Sequence, residues 1–126
     1  MRNVDARALR EAAEARGRAA EARAAAALER EGWTILARRL RTEAGELDLI
    51  AECDGLLAFV EGKARPRLAE AAAAITPRQR ARLIAAAEAW LAAHPGHGAA
   101  GVRFDVMLVA ANGAVRRIAD AFRIGD

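Results

Sequence analysis

The sequence predicts a single α/β domain with its elements in the order α-β-β-β-α-β-β, and three observations carry that prediction. Runs of strong helix formers, rich in alanine, arginine and glutamate, are separated by short stretches in which apolar and polar residues alternate. Asp54-Gly55 stands between two alternating stretches and is a strong two-residue hairpin signal. Ile75-Thr76-Pro77 opens the second helix, with Thr76 as its N-cap and Pro77 in the first helical position.

The elements follow in turn. Residues 1–16 read as an N-terminal helical extension, and Gly17 separates them from a domain spanning 17–126. Arg18 to Arg30 is helical, and Glu31-Gly32 ends it, with glycine just past the helix. Trp33 to Leu40 is a strand, Arg41 to Gly45 a polar turn, and Glu46 to Glu52 a second strand. Leu56 to Lys63 is an apolar third strand. Ala64 to Ala74 contains Pro66 and reads as irregular, then alanine-rich and helical. The second helix runs to about Ala93, and His94 to Gly98 is a loop. Val102 to Ala110 and Ala114 to Ile118 form a strand pair around a tight turn at Asn112-Gly113, and the tail from Asp120 is short helix or coil.

Composition bounds the function. With 126 residues, 54% of them hydrophobic, the chain buries one core and is not disordered. Its single cysteine, Cys53, excludes an intrachain disulfide and fits a reducing, cytoplasmic setting. No apolar run approaches the roughly 20 residues that span a bilayer, and the first residues lack the apolar stretch of a signal peptide, so no membrane partner is expected. The net charge of +3 suits a polyanion without demanding one. Among 20 basic residues, Lys63 is the only lysine. Arginine serves as a surface cation almost anywhere, but it does not easily replace lysine where a compact, tunable ammonium is needed.

The hairpin places Lys63 in company. Counting outward from Cys53 opposite Leu56 pairs Leu49 with Val60, Asp48 with Glu61, Leu47 with Gly62 and Glu46 with Lys63. Side chains alternate along a strand, so Leu47, Leu49 and Ala51 face the core with Gly62, Val60 and Ala58. Glu46, Asp48, Glu61 and Lys63 share the other face. Asp48 and Glu61 are then about 5 Å apart at Cβ, within apolar strands where an ionised carboxylate is costly. A divalent cation, Mg²⁺ or Mn²⁺, compensates such a pair and keeps several waters. It polarises a phosphoryl oxygen and activates a water, while Lys63 positions that water or stabilises charge on phosphorus. A solvated salt-bridge cluster, with Glu46 and Lys63 as a cross-strand ion pair, is the alternative for the same residues.

Asp48 followed across the hairpin by Glu61-Gly62-Lys63 resembles the PD-(D/E)XK nuclease signature. The chain is more closely similar to the YraN family of bacterial proteins, through Gly17 and Glu21, Gly45 to Ala51, Phe59 to Arg65, Ile75-Thr76-Pro77, Arg103 to Val106 and Ala121-Phe122. The resemblance implies a restriction-endonuclease-like fold, a central mixed sheet flanked by helices, and a metal-dependent nuclease acting on DNA, including branched or repair intermediates. The family resembles archaeal Holliday-junction resolvases, whose first helix supplies a further acidic residue. On that likeness Glu21 is a third carboxylate near the metal, and a homodimer is implied because two strands are cut symmetrically. Two positions depart from the family: Gly62 stands where valine is usual, and Gln79 where lysine is frequent.

Arg65, Arg67, Arg78 and Arg80, with Arg82 beyond them, are candidates to grip phosphates, although each alone also reads as solvated surface. Two readings compete with the nuclease. One is a non-catalytic nucleic-acid-binding module on the same fold, motivated by the arginine-rich segments; the other is a protein-interaction domain that uses the fold as scaffold. His94, His97 and Cys53 read as loop and turn residues, Asp105 as structural, and Trp33 and Trp90 as core.

Overall fold

A computed structural model of the chain describes residues 5–65 and 75–123. Its elements are α1 (Ala6–Arg30), β1 (Thr34–Thr42), β2 (Gly45–Cys53), β3 (Leu56–Arg65), α2 (Pro77–Ala93), β4 (Gly101–Ala110) and β5 (Val115–Phe122), in the expected order. The strands lie side by side as β1-β2-β3-β4-β5. All neighbours are antiparallel except β3 and β4, which run parallel because α2 is the crossover between them.

Each helix covers one face of this mixed sheet. Ala24, Ala25 and Leu28 of α1 pack with Trp33 on Leu49, Ala51, Ala58, Val60 and Met107. Leu83, Ala86, Ala87 and Trp90 of α2 pack on Leu47, Ile50, Leu57, Phe59, Phe104 and Phe122. Both tryptophans are core, as expected. On the α2 side the rings form a chain: Trp90 meets Phe59 edge-on at 5.9 Å, Phe59 stacks on Phe104 at 5.5 Å, and Phe104 stacks on Phe122 at 4.7 Å. Alanine keeps both helices close to the sheet, so a few large side chains fill the core.

The signals that set the sheet's register hold. Asp54 and Gly55 both take positive φ, 51° and 81°, as a two-residue turn matched to strand twist requires. Pairing then runs from Cys53 opposite Leu56 to Leu49 opposite Val60. Thr76 caps α2 in a reciprocal box: its hydroxyl accepts the Gln79 N–H at 3.1 Å, and the Gln79 side chain accepts the Thr76 N–H at 2.9 Å.

Four local expectations differ from what is found. First, α1 runs unbroken through Gly17, its first half exposed and its start capped by Asp5, which accepts the Arg7 N–H. One glycine among strong helix formers costs about 1 kcal/mol, too little to interrupt them. Second, β5 continues to Phe122 instead of ending in helix or coil. A bulge between Phe104 and Val106, with Asp120 at φ 54°, lets Phe122 pair with Phe104. Third, Val109 pairs with Val115 and the Ala110 N–H bonds Ala114, so the last hairpin closes with a three-residue loop that has Gly113 at φ 88°. Fourth, Leu47 packs with the α2 cluster while Leu49 packs with the α1 cluster. The alternation expected of β2 therefore breaks at Asp48. The segment from Pro66 to Ala74 lies outside the described residues.

Candidate functional site

The break at Asp48 is where the sheet opens. Paired residues between β2 and β3 end at Leu49 and Val60, one step short of Asp48 and Glu61. The Asp48 carboxylate fills the gap: its Oδ2 accepts the Gly62 N–H at 3.0 Å, a bond a strand carbonyl would otherwise take. On the other side of β2, pairing with β1 steps from Arg38–Leu49 to Leu40–Leu47, and Arg39 between them takes φ 51°. Non-glycine residues rarely adopt that conformation, which costs about 1–3 kcal/mol. Strain and a broken ladder thus flank one aspartate.

Four expected residues converge there. Glu61 lines the same cleft as Asp48. The Lys63 Nζ lies 3.9 Å from Glu61 Oε1, and both side chains are largely buried, at 20% and 16% exposure. Glu21 arrives from α1, with 15% of its side chain exposed and its carboxylate 3.8 Å from Arg39. A Cβ on Gly62 would lie 3.9 Å from both Asp48 Oδ2 and Glu21 Cγ, so Gly62 faces this acidic group rather than apolar core. The expected partnership of Glu46 with Lys63 is not formed. Glu46 turns to Arg41 at 4.0 Å, and Lys63 pairs with Glu61 on its own strand.

The electrostatics are those of carboxylates short of cations. Glu61 is pushed up to about 9, first by burial, then by its hydrogen bond to Asp48 and that residue's charge, against a smaller downward pull from Lys63. Glu21 is also raised, first by burial and then by Asp48, with Arg39 opposing. Near neutral pH Glu61 therefore keeps its proton and can donate it to Asp48. Among the described residues no three His, Cys, Asp or Glu side chains converge tightly enough to form a complete ligand set.

A cleft of about 240 Å³ opens on this group from the α2 side, lined by Gly45, Glu46, Asp48, Glu61, Gln79, Arg82 and Leu83. The proposed phosphate-gripping arginines are dispersed. Arg78 is exposed at the start of α2. Arg80 folds against β5, its guanidinium 5.3 Å from the Phe122 ring centre. Arg65 closes β3, and Arg67 lies outside the described residues. One contribution escaped sequence reasoning: Arg39 carries no sequence mark of its left-handed backbone. Arg82, named with its α2 neighbours as a candidate to grip phosphates, is the one of them that lines the cleft.

Asp105 is structural, as expected. It is 1% exposed; its Oδ2 accepts a hydrogen bond from Arg103 Nη2 at 3.1 Å, and its Oδ1 accepts the Asp120 N–H at 2.9 Å.

Comparison with known proteins agrees with the resemblance read from the motifs. Residues 20–109 match the model of a family described as uncharacterised protein family UPF0102. A UPF0102 protein of Granulibacter bethesdensis is 63% identical over 110 residues, covering 87% of this chain and 70% of its own. One from Rhodopseudomonas palustris is 55% identical over 106 residues, covering 84% and 82%. One from Azorhizobium caulinodans is 53% identical over 122 residues, covering 97% and 93%. No helix among the described residues is long and apolar enough to cross a membrane.

Proposed function

The chain belongs to the UPF0102 family, also called YraN, and we propose that it is a divalent-metal-dependent nuclease that hydrolyses phosphodiester bonds in DNA. One observation carries the reading: Asp48 and Glu61 meet in a cleft at the open end of the sheet, with Lys63 3.9 Å from Glu61. Folding has brought two partly buried carboxylates together with less positive charge than they need, an arrangement that costs stability and is met at working sites.

The donor set fits Mg²⁺ or Mn²⁺, for which two hard carboxylates suffice when waters and a substrate phosphate complete the coordination. Asp48 and Glu61 would hold the ion, and Glu21 would act as an outer carboxylate. Bound there, the ion would supply Lewis-acid polarisation of a phosphoryl oxygen and a lowered pKa for water. Glu61 must first give up its proton, so metal uptake and proton release are linked. Lys63 holds its ammonium beside Glu61, where it orients the attacking water or offsets the charge that grows on phosphorus. Asp48 is fixed by the Gly62 N–H, which its Oδ2 accepts.

Glu21, Asp48 and Glu61 do not close into a three-ligand set among the described residues, which favours a second reading, a nucleic-acid-binding module without catalysis. Nicking of supercoiled plasmid and cleavage of branched and single-stranded DNA under Mn²⁺ separate the two. The nuclease reading expects cleavage by wild type and its loss in Asp48→Ala. DNA binding that survives Asp48→Ala, with no cleavage by wild type, selects the binding module.

A further inference from the structure

A cleft lined by carboxylates repels a phosphodiester, so a nuclease site of this kind needs cations at its edge as well as at its centre. Three arginines stand near these acids. Arg82 lines the cleft from α2; on β1, Arg41 lies 4.0 Å from Glu46, another lining residue, and Arg39 lies 3.8 Å from Glu21 and between the pairs that flank Asp48. At those distances the two β1 contacts are Coulombic, and among the described residues neither guanidinium makes a hydrogen bond. Among the described residues no ion pair or hydrogen bond engages the Arg82 side chain, and the residue is exposed. Arg39 is held by strained backbone opposite Asp48.

We propose that Arg39, Arg41 and Arg82 form a phosphate-binding rim that seats the nucleic-acid backbone across the acidic cleft. The rim rests on the nucleic-acid reading above and replaces Arg78 and Arg80 as the principal backbone contact. Their surroundings differ: Arg80 is partly buried with its guanidinium against the Phe122 ring, whereas Arg82 is exposed and lines the cleft that Asp48 and Glu61 also line. The ligand chemistry is a phosphodiester strand, and DNA and RNA both supply it.

Fluorescence anisotropy with DNA and RNA 20-mers of one sequence tests the rim, using the full chain and Ca²⁺ to support binding without cleavage. Each lost phosphate contact lowers the slope of log K against log salt by about 0.7–0.9. Arg82→Ala and Arg39→Asn are each expected to show that drop, asparagine being tolerant of the left-handed backbone. Arg39→Lys keeps the charge and is expected to retain the wild-type slope. Arg116→Ala, an exposed change on β5 at the far edge of the sheet, is expected to leave it unchanged. The strand whose affinity and slope respond identifies the source. Unchanged slopes in Arg82→Ala and Arg39→Asn, or equal loss in Arg39→Asn and Arg39→Lys, overturn the rim while wild-type binding keeps the nucleic-acid reading. Failure of wild type to bind either strand at low salt overturns both.

Discussion

Glu61 on β3 and Asp105 on β4 are carboxylates of one sheet, both withdrawn from water, and their surroundings are opposite. Asp105 faces two arginines, Arg103 at 3.0 Å and Arg117 at 3.9 Å, and accepts the Asp120 N–H. Both guanidiniums also lie over the Trp33 ring, at 5.1 and 5.7 Å from its centre. Glu61 faces another carboxylate, Asp48, and a single ammonium at 3.9 Å. The fold satisfies the first acid internally and leaves the second short of charge. Burial alone does not mark a functional carboxylate; burial against a like charge does, because something from outside must complete it.

The largest contrast is in chemistry. Lys63→Ala or Asp48→Ala is expected to lower DNA cleavage by about 10²–10⁴-fold, read in single-turnover assays, with the fold intact by circular dichroism. Asp105→Ala is expected to act on stability instead. It strands two partly buried guanidiniums and frees the β5 bulge, which costs about 3 kcal/mol in urea unfolding and leaves metal affinity unchanged. A loss of metal binding in Asp105→Ala, with the protein folded, would erase the distinction between the two acids.

A smaller effect lies in pH. Glu61 is raised in the folded protein, so the folded state binds its proton more tightly than the unfolded chain does. Between the ordinary glutamate range, about 4.3, and about 9, the metal-free protein should lose stability as pH rises, by up to about 1.4 kcal/mol per unit. Glu61→Gln is expected to flatten that slope, measured by denaturant unfolding in EDTA. The smallest effect is at Gly62, where an added Cβ meets its neighbours at 3.9 Å, an ordinary contact. Gly62→Ala should change stability by less than about 1 kcal/mol, stabilising if the relief of glycine's strand cost dominates.

Sequence made the hairpin legible because Asp54-Gly55 fixes the turn and the turn fixes the register, and with it the meeting of Asp48 and Glu61. It also located the α2 cap, since Thr76 and Pro77 act locally. What stayed hidden depends on partners distant in sequence. The alternation of β2 breaks because Asp48 bonds Gly62 across the hairpin, and β5 extends because Asp105 binds the Asp120 amide. Arg39 is unexceptional as a letter, and only the ladder on either side of it reveals strain. Glu21 entered by resemblance, since its own helix gives no reason to prefer it to Glu14.

The central claim is that Asp48 and Glu61 await a cation, and calorimetric titration of Mn²⁺ into wild type and Asp48→Ala near neutral pH tests it most directly. Repeating the titration in buffers of different ionisation enthalpy reads the proton that leaves Glu61. Binding by wild type with proton release, and none by Asp48→Ala, is the predicted result. Equal binding by both proteins, or none by wild type even with DNA present, would contradict it.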